Sequence, residues 1–152
     1  MASFLDLSSN WSLHSIPAAF VLALLPNFYV KFAAGKNYDL ANPRKTEEHL
    51  AKDASISKPQ LNRILRAKAA ANNGLETIGL YAAGVVAANA AKMPVNTLNK
   101  LSSFYLASRL VYNFVYIVLQ DNRKFAPVRG LVWLAGLGTI FSFFIKAGNA
   151  LH

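Results

Sequence analysis

Four long apolar segments constrain what this chain can become more than any other feature. They run from about Trp11 to Val30, Leu65 to Ala91, Val95 to Leu119 and Pro127 to Ile145. Each is near or above the roughly 20 residues needed to cross the core of a bilayer. Backbone polar groups in lipid have no water to bond, so such segments must satisfy them internally, as helices. At 152 residues, 54% hydrophobic and 15% charged, the chain has the size of one domain and is too apolar for an ordinary soluble one. The expectation is an all-α integral membrane protein: a four-helix bundle, one domain over residues 1–152.

The segments between the spans set the orientation. No Lys or Arg precedes Lys31, so the first span lacks the basic start of a signal peptide and reads as a retained anchor behind a short tail at residues 1–10. Pro26 is expected to kink it or loosen its last turn. Residues 31–60 form the long polar connection, with a short surface helix expected around Lys45–Leu50. Ser57 is a candidate cap and Pro59 suits the first turn of the second helix. Lys31, Lys36, Arg44, Lys45, Lys52, Lys58, Arg63, Arg66 and Lys68 crowd the first connection, and Arg123, Lys124 and Arg129 the third. The positive-inside rule then places both connections in the cytosol and both termini across the membrane, with the endoplasmic reticulum as the expected location. The net charge of +9 is thereby explained by topology, without nucleic acid as a partner.

Polar residues inside these spans carry the functional signal. Asn73 lies about 20° from Arg66 around a helix, and Glu76 about 60° further on, so a cation, an amide and a carboxylate share one stripe. Charges at membrane depth cost about 2.5–3.5 kcal/mol each on insertion scales and normally face a protein interior or a ligand. The third span has Tyr105, Arg109, Tyr112 and Tyr116 at spacings that put three phenols and a guanidinium on one face. Glu76 is the obvious carboxylate for Arg109, either as a structural ion pair or as part of a polar pocket lined by both stripes. Arg123 and Arg129 read as topology charges or headgroup contacts, Arg129 being the more unusual because it falls just inside the fourth span. The chain has no cysteine, which excludes disulfides and thiolate chemistry of its own. His14, His49 and His152 are too scattered for a metal site, so no metal is expected.

With these residues in hand, the chain resembles the MAPEG family, the membrane-associated proteins of eicosanoid and glutathione metabolism. The likeness is strongest at Arg66-x-x-x-Ala70-x-x-Asn73-x-x-Glu76, continues in Arg109-x-x-Tyr112-x-x-x-Tyr116, and ends at Arg129-Gly-Leu-Val-Trp133. It covers residues 11–147. Each motif alone is weak, while the ordered set is fairly specific. The resemblance implies a homotrimer that binds glutathione between neighbouring subunits near the cytosolic face. By position, Arg66, Asn73 and Glu76 would take the backbone and terminal charges of glutathione. Tyr112 and Tyr116 would line the site, and Arg109 would hold Glu76 or a glutathione carboxylate. An arginine near the start of the fourth helix would sit beside the sulfur. The motif favours Arg129 for that place, whereas the distance from Tyr116 favours Arg123. A cation there favours the reactive thiolate over a thiol whose ordinary pKa is about 8.5.

The resemblance departs from the eicosanoid-making members at Ala69, where they usually carry a further arginine. This weakens a leukotriene or prostaglandin assignment. The activity implied is a glutathione transferase or peroxidase acting on a lipophilic substrate. Two alternatives stay open: an isomerase or cyclase on the same fold, using Arg, Tyr and Glu as acid, base or oxyanion stabiliser, and a non-enzymatic membrane scaffold.

Overall fold

The computed structural model describes residues 9–151, and over these it is helical with no strand. Most of the expected N-terminal tail, and His152, lie outside the described residues. Five α-helices follow one another: α1 Ser15–Ala34, α2 Thr46–Lys52, α3 Lys58–Ala90, α4 Val95–Ile117 and α5 Ala126–Ala150. The long ones, α1, α3, α4 and α5, are the expected bundle. Short 3-10 turns fill the connections, including one at Pro43–Lys45 that leads into α2.

Hydropathy located the spans but not their ends. α3 begins at Lys58, well before Leu65, because its start is set by local chemistry. Ser57 Oγ accepts from Gln60 N at 3.4 Å, and Pro59 sits in the first turn, where a missing N–H costs nothing. α1 continues past Val30 to Ala34 and stops at Gly35, whose φ of 52° lies in the left-handed region that a side chain disfavours.

Three of the long helices are apolar enough to cross a membrane by length and composition: those within Ser12–Asn37, Val95–Asp121 and Arg123–Ala150. The expected fourth, α3, is long enough but does not meet that standard, carrying Arg63, Arg66 and Lys68 in its first half and Glu76 in its second. Its 33 residues extend about 50 Å, against about 30 Å of hydrocarbon.

Small side chains let these helices approach closely. A Cβ on Gly74 of α3 would stand 2.7 Å from the Ala23 Cβ of α1, so a larger residue would force the two helices apart. In the main core, Tyr81 and Tyr105 stack with ring centroids 3.8 Å apart, and Phe143 of α5 meets Tyr81 edge-on at 6.0 Å. The Tyr81 hydroxyl bonds Ser15 Oγ, which pins the start of α1. A second cluster brings Leu50 of α2 against Val30, Ala34, Ile64 and Ala67, holding the long connection onto the base of α1 and α3.

Both basic connections lie at one end of the bundle. Asp121, after α4, takes ion pairs from Arg63 and Arg66 of α3. Arg66 Nε also donates to Tyr116 O at 3.0 Å, and one of its terminal nitrogens to Ile117 O at 3.2 Å. These carbonyls belong to the last turn of α4, which has no helical donor left for them, so Arg66 closes the helix end.

Candidate active site

Arg109 occupies the middle of the bundle, where a guanidinium needs compensation on all sides. It is 6% exposed. The Tyr105 and Tyr112 rings flank it, with centroids 5.3 and 5.2 Å from its Cζ, each an attraction of up to about 2 kcal/mol when desolvated. Its Nε faces Ser108 Oγ at 3.4 Å, and a terminal nitrogen reaches the Val132 and Trp133 carbonyls of α5 at 3.5 Å. Room for it exists because Gly136 has no side chain: a Cβ there would overlap the guanidinium. Sequence reasoning missed Gly136, since nothing in the pattern of α5 marks which glycine faces an arginine.

The expected Arg109–Glu76 ion pair is not formed. Glu76 points outward from α3 and makes no hydrogen bond or ion pair among the described residues. Aromatic faces and helix carbonyls compensate Arg109 in place of a carboxylate. The expected common pocket is likewise not enclosed by one chain. The hollow touching Arg109, Tyr105 and Tyr112 measures about 10 Å3, lined otherwise by α1 and by Ala70, Gly74 and Asn113; neither Glu76 nor Arg129 reaches it. That is room for about one water.

Two more sequence-derived site residues are engaged within the chain. Arg66 is tied to Asp121 and to the end of α4. Asn73 donates to Ala69 O one turn earlier, at 2.8 Å. Arg66 is thus committed to the end of α4, while Asn73 keeps its amide oxygen and a second N–H. Asp121, which the sequence reading passed over, had one available signal: it is the sole acidic residue after Glu76, set opposite a strongly basic helix start.

Toward the basic end the picture is more open. Arg129, near the start of α5, lies with its Cζ 4.6 Å from the Tyr116 ring centroid. Tyr116 in turn meets Tyr112 edge-on at 5.6 Å. Arg123 stays in the exposed connection without a ring contact. The helices thus bring Arg129, Tyr116 and Tyr112 together, leave Glu76 on the exposed face of α3, and engage Arg66 and Arg109 in contacts within the chain. A half-buried arginine on an aromatic face is equipped to bind and stabilise an anion.

Comparison with known proteins bears on the whole chain. The model of the MAPEG family matches residues 15–149. No curated protein and no solved structure matches the chain. The family match runs from the first turn of α1 to the end of α5 and takes in every helix that carries the site. The chain is therefore an integral, multi-pass membrane protein belonging to the MAPEG family.

Proposed function

We propose that this protein is a glutathione-dependent transferase or peroxidase acting on a hydrophobic electrophile at the bilayer boundary. The observation that carries the reading is Arg129 seated on the Tyr116 ring, with Tyr112 edge-on to the same ring. Arg129 stays protonated at any physiological pH and offers several N–H donors, so it suits a thiolate. Tyr116 holds it in place, and its hydroxyl serves as a second donor to sulfur or to the leaving group. Glu76 pairs the α-amino group of glutathione. Arg123 is kept as the cation for a glutathione carboxylate, because it is exposed and unpaired among the described residues.

The same reading completes the site with a second copy of the chain. Glu76 opens the outward face of α3, and Leu80, Ala83 and Val86 continue it. A carboxylate at that depth without a partner costs several kcal/mol in lipid, so a neighbouring subunit, in a homotrimer, covers it. Both basic connections face the cytosol, and the endoplasmic reticulum membrane is the fitting location.

The engagement of Arg66 and Arg109 within one chain favours a second reading. Fewer groups remain for a tripeptide, as an isomerase or cyclase of the same fold would need. The test is direct. Binding of glutathione to detergent-purified protein should raise the ultraviolet absorbance of the thiolate, and Arg129→Ala should abolish the rise while Arg123→Ala leaves it. Loss with Arg123→Ala alone moves the sulfur to that residue. No binding of glutathione at millimolar concentration leaves the isomerase reading.

A further inference from the structure

A cleft of about 240 Å3 opens between α1, α2 and α3 at the basic end of the bundle. It is separate from the Tyr116–Arg129 side. α3 turns Leu65, Lys68 and Asn72 into it, whereas Arg66 is turned to α4. Val30, Leu50 and Ile64 give it an apolar floor. Its polar wall holds Arg44, Lys68, Thr46 and Asn72 with one carboxylate, Glu47. Thr46 is 4% exposed, and its Oγ1 is enclosed and makes no hydrogen bond among the described residues. A buried hydroxyl in that state lacks the partner that such groups nearly always have. Arg44 also lines the cleft and has no ion pair or side-chain hydrogen bond among the described residues. Lys68 is partly neutralised by Glu47, at 3.1 Å. Asn72 adds an amide with no bond of its own.

We propose that this cleft binds the phosphate of an acidic phospholipid headgroup. Donors from Arg44, Thr46, Asn72 and Lys68 approach from different elements, which suits a tetrahedral oxyanion better than a planar carboxylate. The Arg44 fork takes two oxygens, and the Thr46 hydroxyl, enclosed in the free protein, takes a third after a χ1 turn toward the cleft. Counting Arg44 and Lys68 against Glu47, the lining carries one net positive charge. This fits a singly charged phosphodiester, and the Glu47 carboxylate disfavours a dianion. The apolar floor receives the glycerol carbons and the first methylenes. Basic pockets between helices at a membrane surface recognise lipid headgroups by this combination.

The test uses the full chain in a neutral detergent, titrated with short-chain phosphatidylglycerol while thermal unfolding is followed. The wild type should gain stability in a saturable way, and phosphatidylcholine should give much less. Arg44→Gln should bind roughly tenfold more weakly, as expected for a lost charge-assisted hydrogen bond. Thr46→Val should melt higher than the wild type without lipid, because an orphan hydroxyl is gone, yet show a smaller lipid-induced shift. A role in packing alone would not produce that crossover. If glycerol 3-phosphate stabilises as well as the lipid at equal concentration, the phosphate site stands and the lipid as its source is overturned. The proposal fails if no phosphate compound shifts the wild type, or if both variants keep the full shift. It also fails if Arg44→Gln loses the glutathione thiolate signal together with the lipid shift, since the cleft would then belong to the glutathione site.

Discussion

Pro26 has no N–H to give to the carbonyl of Leu22, one turn back in α1. The orphaned oxygen is met from another helix: Asn113 Nδ2 of α4 donates to it at 3.0 Å. A proline that might have only weakened α1 thus becomes a docking point for α4, and α1 runs on through it to Ala34. Asn113→Leu, nearly the same in shape, should destabilise the bundle by roughly 1–3 kcal/mol by stranding that carbonyl. In a Pro26→Ala background, where the helix satisfies its own carbonyl, the same change should cost measurably less in thermal or denaturant unfolding. Equal costs in both backgrounds would refute the coupling. Gly136 is the other residue whose smallness is used. Gly136→Ala should displace the Arg109 guanidinium, lowering stability by about 3 kcal/mol or more, the scale for breaking a buried charged network. Gly138→Ala, with open space around its position, should be tolerated in the same assay.

Among the elements, α3 and the connection before it divide the labour. α3 carries its basic groups in the first turns and its mainly apolar residues beyond them, along 33 residues. The connection is held by Asp53, which accepts from Ser55 Oγ and Ser55 N and from Asn37 Nδ2. These bonds, the Ser55 hydroxyl first and then the Asn37 amide, hold its carboxyl well below the usual carboxylate range. A depressed folded pKa contributes order above the unfolded value, near 4, and loses it as pH falls toward the folded value. Limited proteolysis between Gly35 and Ser57 should therefore accelerate as pH drops below about 4, with a protease active in acid. Asp53→Asn should cleave faster at neutral pH and show no such acid step. A wild-type rate flat across that range would count against the Asp53 clamp.

At the scale of the whole molecule, one chain leaves its most unusual carboxylate uncovered. The absence of cysteine makes the proposed assembly easy to probe, since a single introduced thiol is unique. Ala83→Cys, two turns beyond Glu76 on the same face, should be linked by a trifunctional thiol reagent into species of up to three chains in native membranes. A single-chain product alone would leave that face to lipid. Glu76→Gln should keep the crosslinked assembly but weaken glutathione binding about tenfold or more, because an amide cannot pair with an ammonium. If assembly fails and binding persists, the assignment of Glu76 is reversed.

Much of this was legible without coordinates. Apolar runs, prolines and Ser57 marked the spans and several helix boundaries, because lipid leaves the backbone no alternative to helix and caps act over three or four residues. The ordered stripes on α3 and α4 identified the family. Tertiary structure alone decided which polar residues face each other. Spacing put Arg109 and Glu76 on promising faces, but a helix can rotate toward any neighbour, and the packing around Gly136, Tyr105 and Tyr112 turned Arg109 inward while Glu76 stayed outside. Arg66 was likewise claimed by Asp121, far away in sequence. Periodicity fixes where a side chain lies on its own helix; only packing between helices fixes what it meets.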